Sequence, residues 1–178
     1  MKDKTRTLTA AGTLCALAYA AAAVGRVPMV LFLKYDPKDI VIAAGGLIFG
    51  PCTACAIAWT VSFAELFTIS ENGILGFAMN VISSTSFACT AAYLYQRRRT
   101  LSGAAAGLLC GWMCMVLTML LWNYLIAPIY MGCSRQEIAE LLLPVFFPFN
   151  LIKGGLNAAV TLLLYQPVVT LAEQKFRR

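Results

Sequence analysis

Five apolar runs, at roughly residues 8–31, 40–67, 74–95, 103–130 and 144–172, occupy nearly the whole of this chain. Each is long enough to cross a bilayer, which takes about 20 predominantly apolar residues. Hydrocarbon offers no partner to a backbone N–H or C=O, so a segment that crosses must satisfy its own polar groups, as a helix does. Composition agrees: 12% of the residues are charged, against about 25% in soluble domains. Too little chain remains for a soluble domain, and the sequence predicts one integral membrane domain over residues 1–178. The basic start (Lys2, Lys4, Arg6) resembles the n-region of a signal peptide. The apolar stretch that follows belongs to a chain that stays hydrophobic throughout, and it reads as the first span.

Charge placement sets the expected topology. Three basic clusters stand out: Lys2/Lys4/Arg6, Arg97-Arg98-Arg99 and Lys175/Arg177/Arg178. The positive-inside rule puts all three in the cytoplasm, which an odd number of spans cannot do. The run at 40–67 is longer than one crossing needs and contains Gly50-Pro51. Glycine ends helices and proline suits the first turn of a new one. A split there gives a short helix at about 38–49 and another at about 51–67. The expectation is therefore an all-α six-helix membrane bundle with a short second helix and both termini cytoplasmic. Three polar segments then lie outside: KYDPKD within FLKYDPKDI (32–40), TISENG (68–73) and the long connection 123–150. A plain inner face and an elaborated outer one suit a receptor for something outside the cell.

Several constellations could bind such a ligand. In PFNLIKGGLN (148–157), Asn150, Lys153 and Asn157 share a helix face. An ionisable residue in an apolar helix is a functional candidate, although Lys153 could instead snorkel to the interface. Gly154 and Gly155 suit close helix packing. Asn123 and Tyr124 lie near the outer end of helix 5, where the aromatics also suit an interfacial belt, and Pro128 is expected to end or bend that helix. In the first outer loop Asp39 reads as an N-cap, while Lys34, Tyr35 and Asp36 are freer to reach a ligand. Glu65 and Asn80 lie deeper, either lining a pocket or satisfying a helix contact. Gly12, Ala16 and Ala20 form a small-residue stripe, for internal packing or for docking another membrane protein.

What is missing narrows the function further. The chain has no histidine, which removes imidazole acid–base chemistry, the usual triads and His-based metal sites. Seven cysteines, mostly within spans, read as small apolar residues rather than a disulfide framework or metal site. No nucleotide-binding P-loop, carboxylate pair or nucleophile–base pair is evident, so the chain does not read as an enzyme. Its basic residues sit at span ends, which argues for topology and against nucleic acid.

The motifs FLKYDPKDI, FGP at 49–51, NYLIAPIY and PFNLIKG, in that order, resemble the riboflavin-specific substrate-binding (S) components of energy-coupling factor (ECF) vitamin transporters. The resemblance implies a cell-membrane protein with an outward-facing pocket for riboflavin, which is transported cargo rather than a cofactor. It implies as partners a transmembrane coupling protein and two cytoplasmic ATPases that drive delivery inward. It carries ligand contacts onto Asn123, Asn150 and Lys153, covers the pocket with the first outer loop, and assigns Gly12, Ala16 and Ala20 to the coupling protein. An amide both donates and accepts, matching the uracil-like edge of isoalloxazine. Without cargo, Lys153 needs Glu65, Asp36 or water as its partner. The alternatives are an S component for another vitamin or small heterocycle, and a membrane scaffold without a ligand.

Overall fold

Helix follows the apolar runs, and the breaks fall at glycine and proline. The computed structural model describes residues 2–30, 33–70 and 73–176. Phe32 of the first loop, Glu71 and Asn72 of the second, and the anchors Arg177 and Arg178 lie outside the described residues. Along the chain come α1 (Lys2–Gly25), an antiparallel hairpin of β1 (Val27–Val30) and β2 (Leu33–Tyr35), then α2 (Lys38–Phe49), α3 (Pro51–Thr68), α4 (Gly73–Arg97) and α5 (Leu101–Met131). The short α6 (Arg135–Leu141) runs through a π-helical stretch, Leu142–Phe146, into α7 (Phe147–Phe176).

The α2–α3 break is where the sequence places it. Gly50 has φ +99° and ψ 171°, a conformation open essentially to glycine alone, and its N–H donates to the Gly46 carbonyl (2.8 Å). Pro51 takes the first position of α3, where its missing N–H costs nothing. The twelve-residue α2 packs against α1, α3, α4 and α7 and buries Lys38, Asp39, Ile42, Ala43, Gly45, Gly46 and Leu47. It is an internal element, wrapped by longer helices.

Three expectations are corrected. The fold is nearly all-helical rather than all-α, because the first apolar run leaves helix at Gly25 and continues as the β1–β2 hairpin. Gly25 and Pro28 stop the helix, and the β-branched Val27 and Val30 suit an extended strand. Pro128 does not end α5: the helix runs on to Met131 and closes at Gly132, whose φ of +67° allows a left-handed cap. The connection expected at 123–150 is largely helical. Its α6 starts on a capping box in which Ser134 Oγ accepts from the Glu137 N–H (3.3 Å) and Glu137 Oε2 accepts from the Ser134 N–H (3.2 Å).

Among the described residues, four helical stretches are long and apolar enough to cross a membrane: Thr5–Gly25, Gly73–Arg97, Leu101–Met131 and Arg135–Pro167. The central core is alanine-rich, with Ala18, Ala43, Ala54, Ala58, Ala88 and Ala91 around Ile42, Ile57 and Phe87. Small side chains let helix axes approach where no hydrophobic drive separates protein from lipid. A second cluster (Leu33, Ala127, Ile138, Phe146, Phe149) closes the hairpin end. A third (Leu47, Tyr95, Ala104) closes the opposite end, where Tyr95 and Tyr165 are hydrogen-bonded at 3.0 Å. Gly154 and Gly155 let α7 lie against Trp112 of α5, which a Cβ at position 154 would strike. At the α2–α3 turn, Gly50→Ala would place a Cβ 2.5 Å from Gln96 Nε2 and force a forbidden φ; a loss of about 1–3 kcal/mol, read as a lower melting temperature in detergent, is expected.

Candidate functional site

The charges of the first loop fold inward. Asp36 and Lys38 flank Pro37, and the Lys38 N–H donates to Asp36 Oδ1 (3.2 Å), so the side chain that organises the start of α2 is Asp36. Asp39 does not cap the helix: Pro37 occupies the N-cap and no side chain caps it. Asp39 instead sits in the first turn of α2, 1% exposed.

Two linked knots of charge result. In the first, Glu65 Oε2 accepts from Lys38 Nζ (2.6 Å), Asn80 Nδ2 (2.9 Å) and Arg26 Nη2 (3.2 Å). Asp36 Oδ2 lies 2.9 Å from Arg26 Nη2 and 3.3 Å from Lys38 Nζ. In the second, Asp39 accepts from Ser84 Oγ (2.5 Å) and Asn157 Nδ2 (3.3 Å) and pairs with Lys153 Nζ at 3.6 Å. The Tyr35 hydroxyl donates to Asn157 Oδ1 (2.8 Å), joining the hairpin to α7. Lys153 thus pairs with Asp39, a partner not expected from the sequence, and also acts electrostatically on Asp36. Three cations (Arg26, Lys38, Lys153) face three carboxylates (Asp36, Asp39, Glu65), and the interior network is neutral overall.

Beside these knots, between the hairpin and α4, α5 and α7, lies a cavity with an open mouth. Leu33, Met79, Met119 and Phe149 supply apolar wall, and Asn80, Asn123, Tyr130, Asn150 and Lys153 supply polar groups. The structure therefore gathers Lys34, Asp36, Asn80, Asn123, Asn150 and Lys153 around one space. Tyr35 and Glu65 stand behind it, held by Asn157 and by Lys38. Tyr124 is exposed and does not line the cavity; Tyr130, seven residues on, does, and donates to Asn123 Oδ1 (3.3 Å). Of the three cavity amides, those of α5 and α7 are oriented by their own helices, with Asn123 Nδ2 donating to the Met119 carbonyl (2.8 Å) and Asn150 Nδ2 to the Phe146 carbonyl (2.7 Å). Gly12, Ala16 and Ala20 form an exposed line on α1, away from the interior.

Sequence reasoning passed over Arg26 and Lys38. Arg26 follows the first span and has the look of an interfacial charge. Lys38 stands in a cluster of charges, and only its 1% exposure reveals that it is an interior cation. The recoverable signal was the near balance of sign in KYDPKD plus a carboxylate, Glu65, in an apolar helix.

Burial pushes the Asp36 carboxyl up, but the charges of Lys38 and Lys153 and the bond from Arg26 outweigh it and hold the group below the usual carboxylate range. Burial also raises the Tyr35 phenol, helped by Asp39 and Asp36; the hydroxyl stays a donor to Asn157. Removing one partner of a buried pair strands the other, at about 3–5 kcal/mol. Glu65→Ala leaves Lys38 and Arg26 to share Asp36 alone, so a destabilisation of about 3 kcal/mol is expected in thermal melts, partly restored in the Glu65→Ala/Lys38→Met double variant.

A sequence profile described as "ECF transporter, substrate-specific component" matches residues 6–165. A solved structure described as "Structure and mechanism of the S component of a bacterial ECF transporter" superposes with a TM-score of 0.79 over 94% of this chain and 98% of that one, at 22% identity. No curated protein matches the sequence. The profile covers nearly all of the chain and the fold agrees independently, so this polytopic membrane protein belongs to the substrate-specific components of ECF transporters.

Proposed function

We propose that the cavity binds riboflavin on the outer side of the cell membrane and that the protein delivers it inward as part of an ECF complex. The observation that carries this reading is a cavity beside neutralised charges, with apolar walls and two oriented amides next to a lysine. Within the two knots cations and carboxylates balance one another, which suits an uncharged ligand beside them. Asn150, whose NH2 is engaged with its own helix, turns its carbonyl oxygen to the cavity as an acceptor one turn from Lys153, a donor. An acceptor beside a donor complements an N–H next to a carbonyl, the pattern on the polar edge of isoalloxazine. The xylene edge would lie against Leu33, Met79, Met119 and Phe149, in keeping with the mostly apolar lining of small-molecule pockets.

Purified protein freed of endogenous ligand should quench flavin fluorescence saturably, at one site per chain. Asn150→Ala or Lys153→Ala should weaken binding by roughly ten- to a hundredfold, for the loss of one hydrogen bond, charge-assisted in the lysine case. No quenching by a folded preparation would sink the riboflavin assignment and direct the titration to other uncharged vitamins.

In this reading both termini are cytoplasmic and α2 and α3 complete six membrane-embedded helices, with the hairpin outside. The coupling protein docks on Gly12, Ala16 and Ala20. Only 11% of the α1 span is buried, against 33–39% in the other three, so α1 has a free face. Leucine there would hold a partner helix away. Ala16→Leu should abolish co-purification with the coupling protein and the ATPases and leave riboflavin affinity of the isolated protein unchanged; normal assembly would overturn the docking assignment.

A further inference from the structure

One polar group on the cavity wall is left unused by the fold. Helix-borne hydroxyls in this chain return to the carbonyl one turn back: Thr85 to Val81 (2.6 Å), Ser86 to Ile82 (2.7 Å), Thr118 to Cys114 (2.7 Å) and Thr161 to Asn157 (2.6 Å). Ser84 turns to Asp39 instead. Ser83 does neither. It is 2% exposed, and its Oγ has no hydrogen-bond partner. The other buried side-chain atoms without a partner, among the described residues, are Ser62 Oγ, Glu65 Oε1 and the indole nitrogens of Trp112 and Trp122. Of these five residues Ser83 alone lines the cavity.

Its position gives the orphan hydroxyl a use. Gly76, Met79, Asn80 and Ser83 recur at helical spacing and form the cavity face of α4. Ser83 lies about 10 Å along the axis from Gly76. Its neighbour Ser84 bonds the same carboxylate that pairs with Lys153, so Ser83 and Lys153 stand at the same depth. A buried hydroxyl without a partner is costly in the empty site and favourable once a ligand oxygen meets it. A serine hydroxyl needs only a rotation to turn to such an oxygen.

We propose that Ser83 is a substrate-contacting residue, donating a hydrogen bond to a carbonyl or hydroxyl oxygen of the bound molecule at the deep end of the cavity. The assignment rests on the cavity being the substrate site and adds a second polar group of α4, one turn from Asn80, to those on α5 and α7. It also requires the substrate to carry an oxygen that reaches the α4 wall while its donor–acceptor edge meets Asn150 and Lys153.

The test uses one substitution with two readouts of opposite sign. Ser83→Ala removes an unsatisfied group, so the ligand-free protein should melt at the wild-type temperature or above it. Riboflavin affinity should fall roughly tenfold, the usual worth of one hydrogen bond, while Ser86→Ala, whose hydroxyl already has a partner, leaves affinity unchanged. Lumiflavin, which has the ring system without the polyol tail, locates the oxygen. An equal loss for both flavins places the contact on the ring, and a loss confined to riboflavin places it on the tail. Unchanged riboflavin affinity in Ser83→Ala overturns the assignment. So does a lower melting temperature of the ligand-free variant, which would mean that the hydroxyl already has a partner in the fold. Failure of the wild-type protein to bind riboflavin would count against the riboflavin reading instead, and the melting comparison would still decide the premise about Ser83.

Discussion

Five charges buried in an apolar bundle and the half-buried Arg26 hold this structure to one arrangement. An isolated ion in such surroundings would cost many kcal/mol, and ions persist there only when paired and hydrogen-bonded. Arg26, Lys38, Lys153, Asp36, Asp39 and Glu65 come from the first loop, α2, α3 and α7, so pairing them fixes where those elements meet. The hairpin cannot sit elsewhere without parting Arg26 and Asp36 from Lys38 and Glu65. Helix α7 cannot rotate without drawing Lys153 from Asp39. Apolar contacts alone are too permissive for this in a membrane, where lipid competes for every leucine.

The same pairing shapes what the cavity can accept. Charges that neutralise one another leave hydrogen-bond geometry and wall shape to discriminate among ligands. Membership in the substrate-specific components of ECF transporters supplies the class of function, and the cavity supplies the chemistry from which a neutral heterocycle is inferred. On the opposite flank α1 shows little but glycine and alanine along one line. In the function proposed above the two faces divide the labour, the cavity holding a small molecule and α1 meeting another protein.

Much of this was legible in the sequence because membrane burial writes long periods. Gly50-Pro51 fixed the α2–α3 break to within a residue, since no other pair so combines a helix end with a helix start. The stripe of Asn150, Lys153 and Asn157 was readable from spacing alone, and all three face the interior network or the cavity. Spacing could not show the partners. Asp39 looked like a cap because aspartate before an apolar helix usually is one; a lysine more than a hundred residues away claims it instead. The hairpin was hidden because Val27–Val30 is as apolar as the span before it, and hydropathy does not distinguish a strand from the end of a helix. Tyr124 and Tyr130 were equivalent on paper. Only the helical phase of α5, which continues through Pro128, decides that one faces the cavity and the other does not.

The brevity of α2 has a geometric outcome. Twelve residues of helix rise about 18 Å, while the hydrocarbon core is about 30 Å thick. Helix α2 is therefore about 12 Å shorter than the hydrocarbon core is thick, and α1, α3, α4 and α7 pack around it. Lys38 and Asp39 open the helix, and the cavity and its hairpin cover are found beside them. The candidate site thus lies at the end of the bundle where α2 begins. One added helical turn there would fill the space with protein and carry its charges outward.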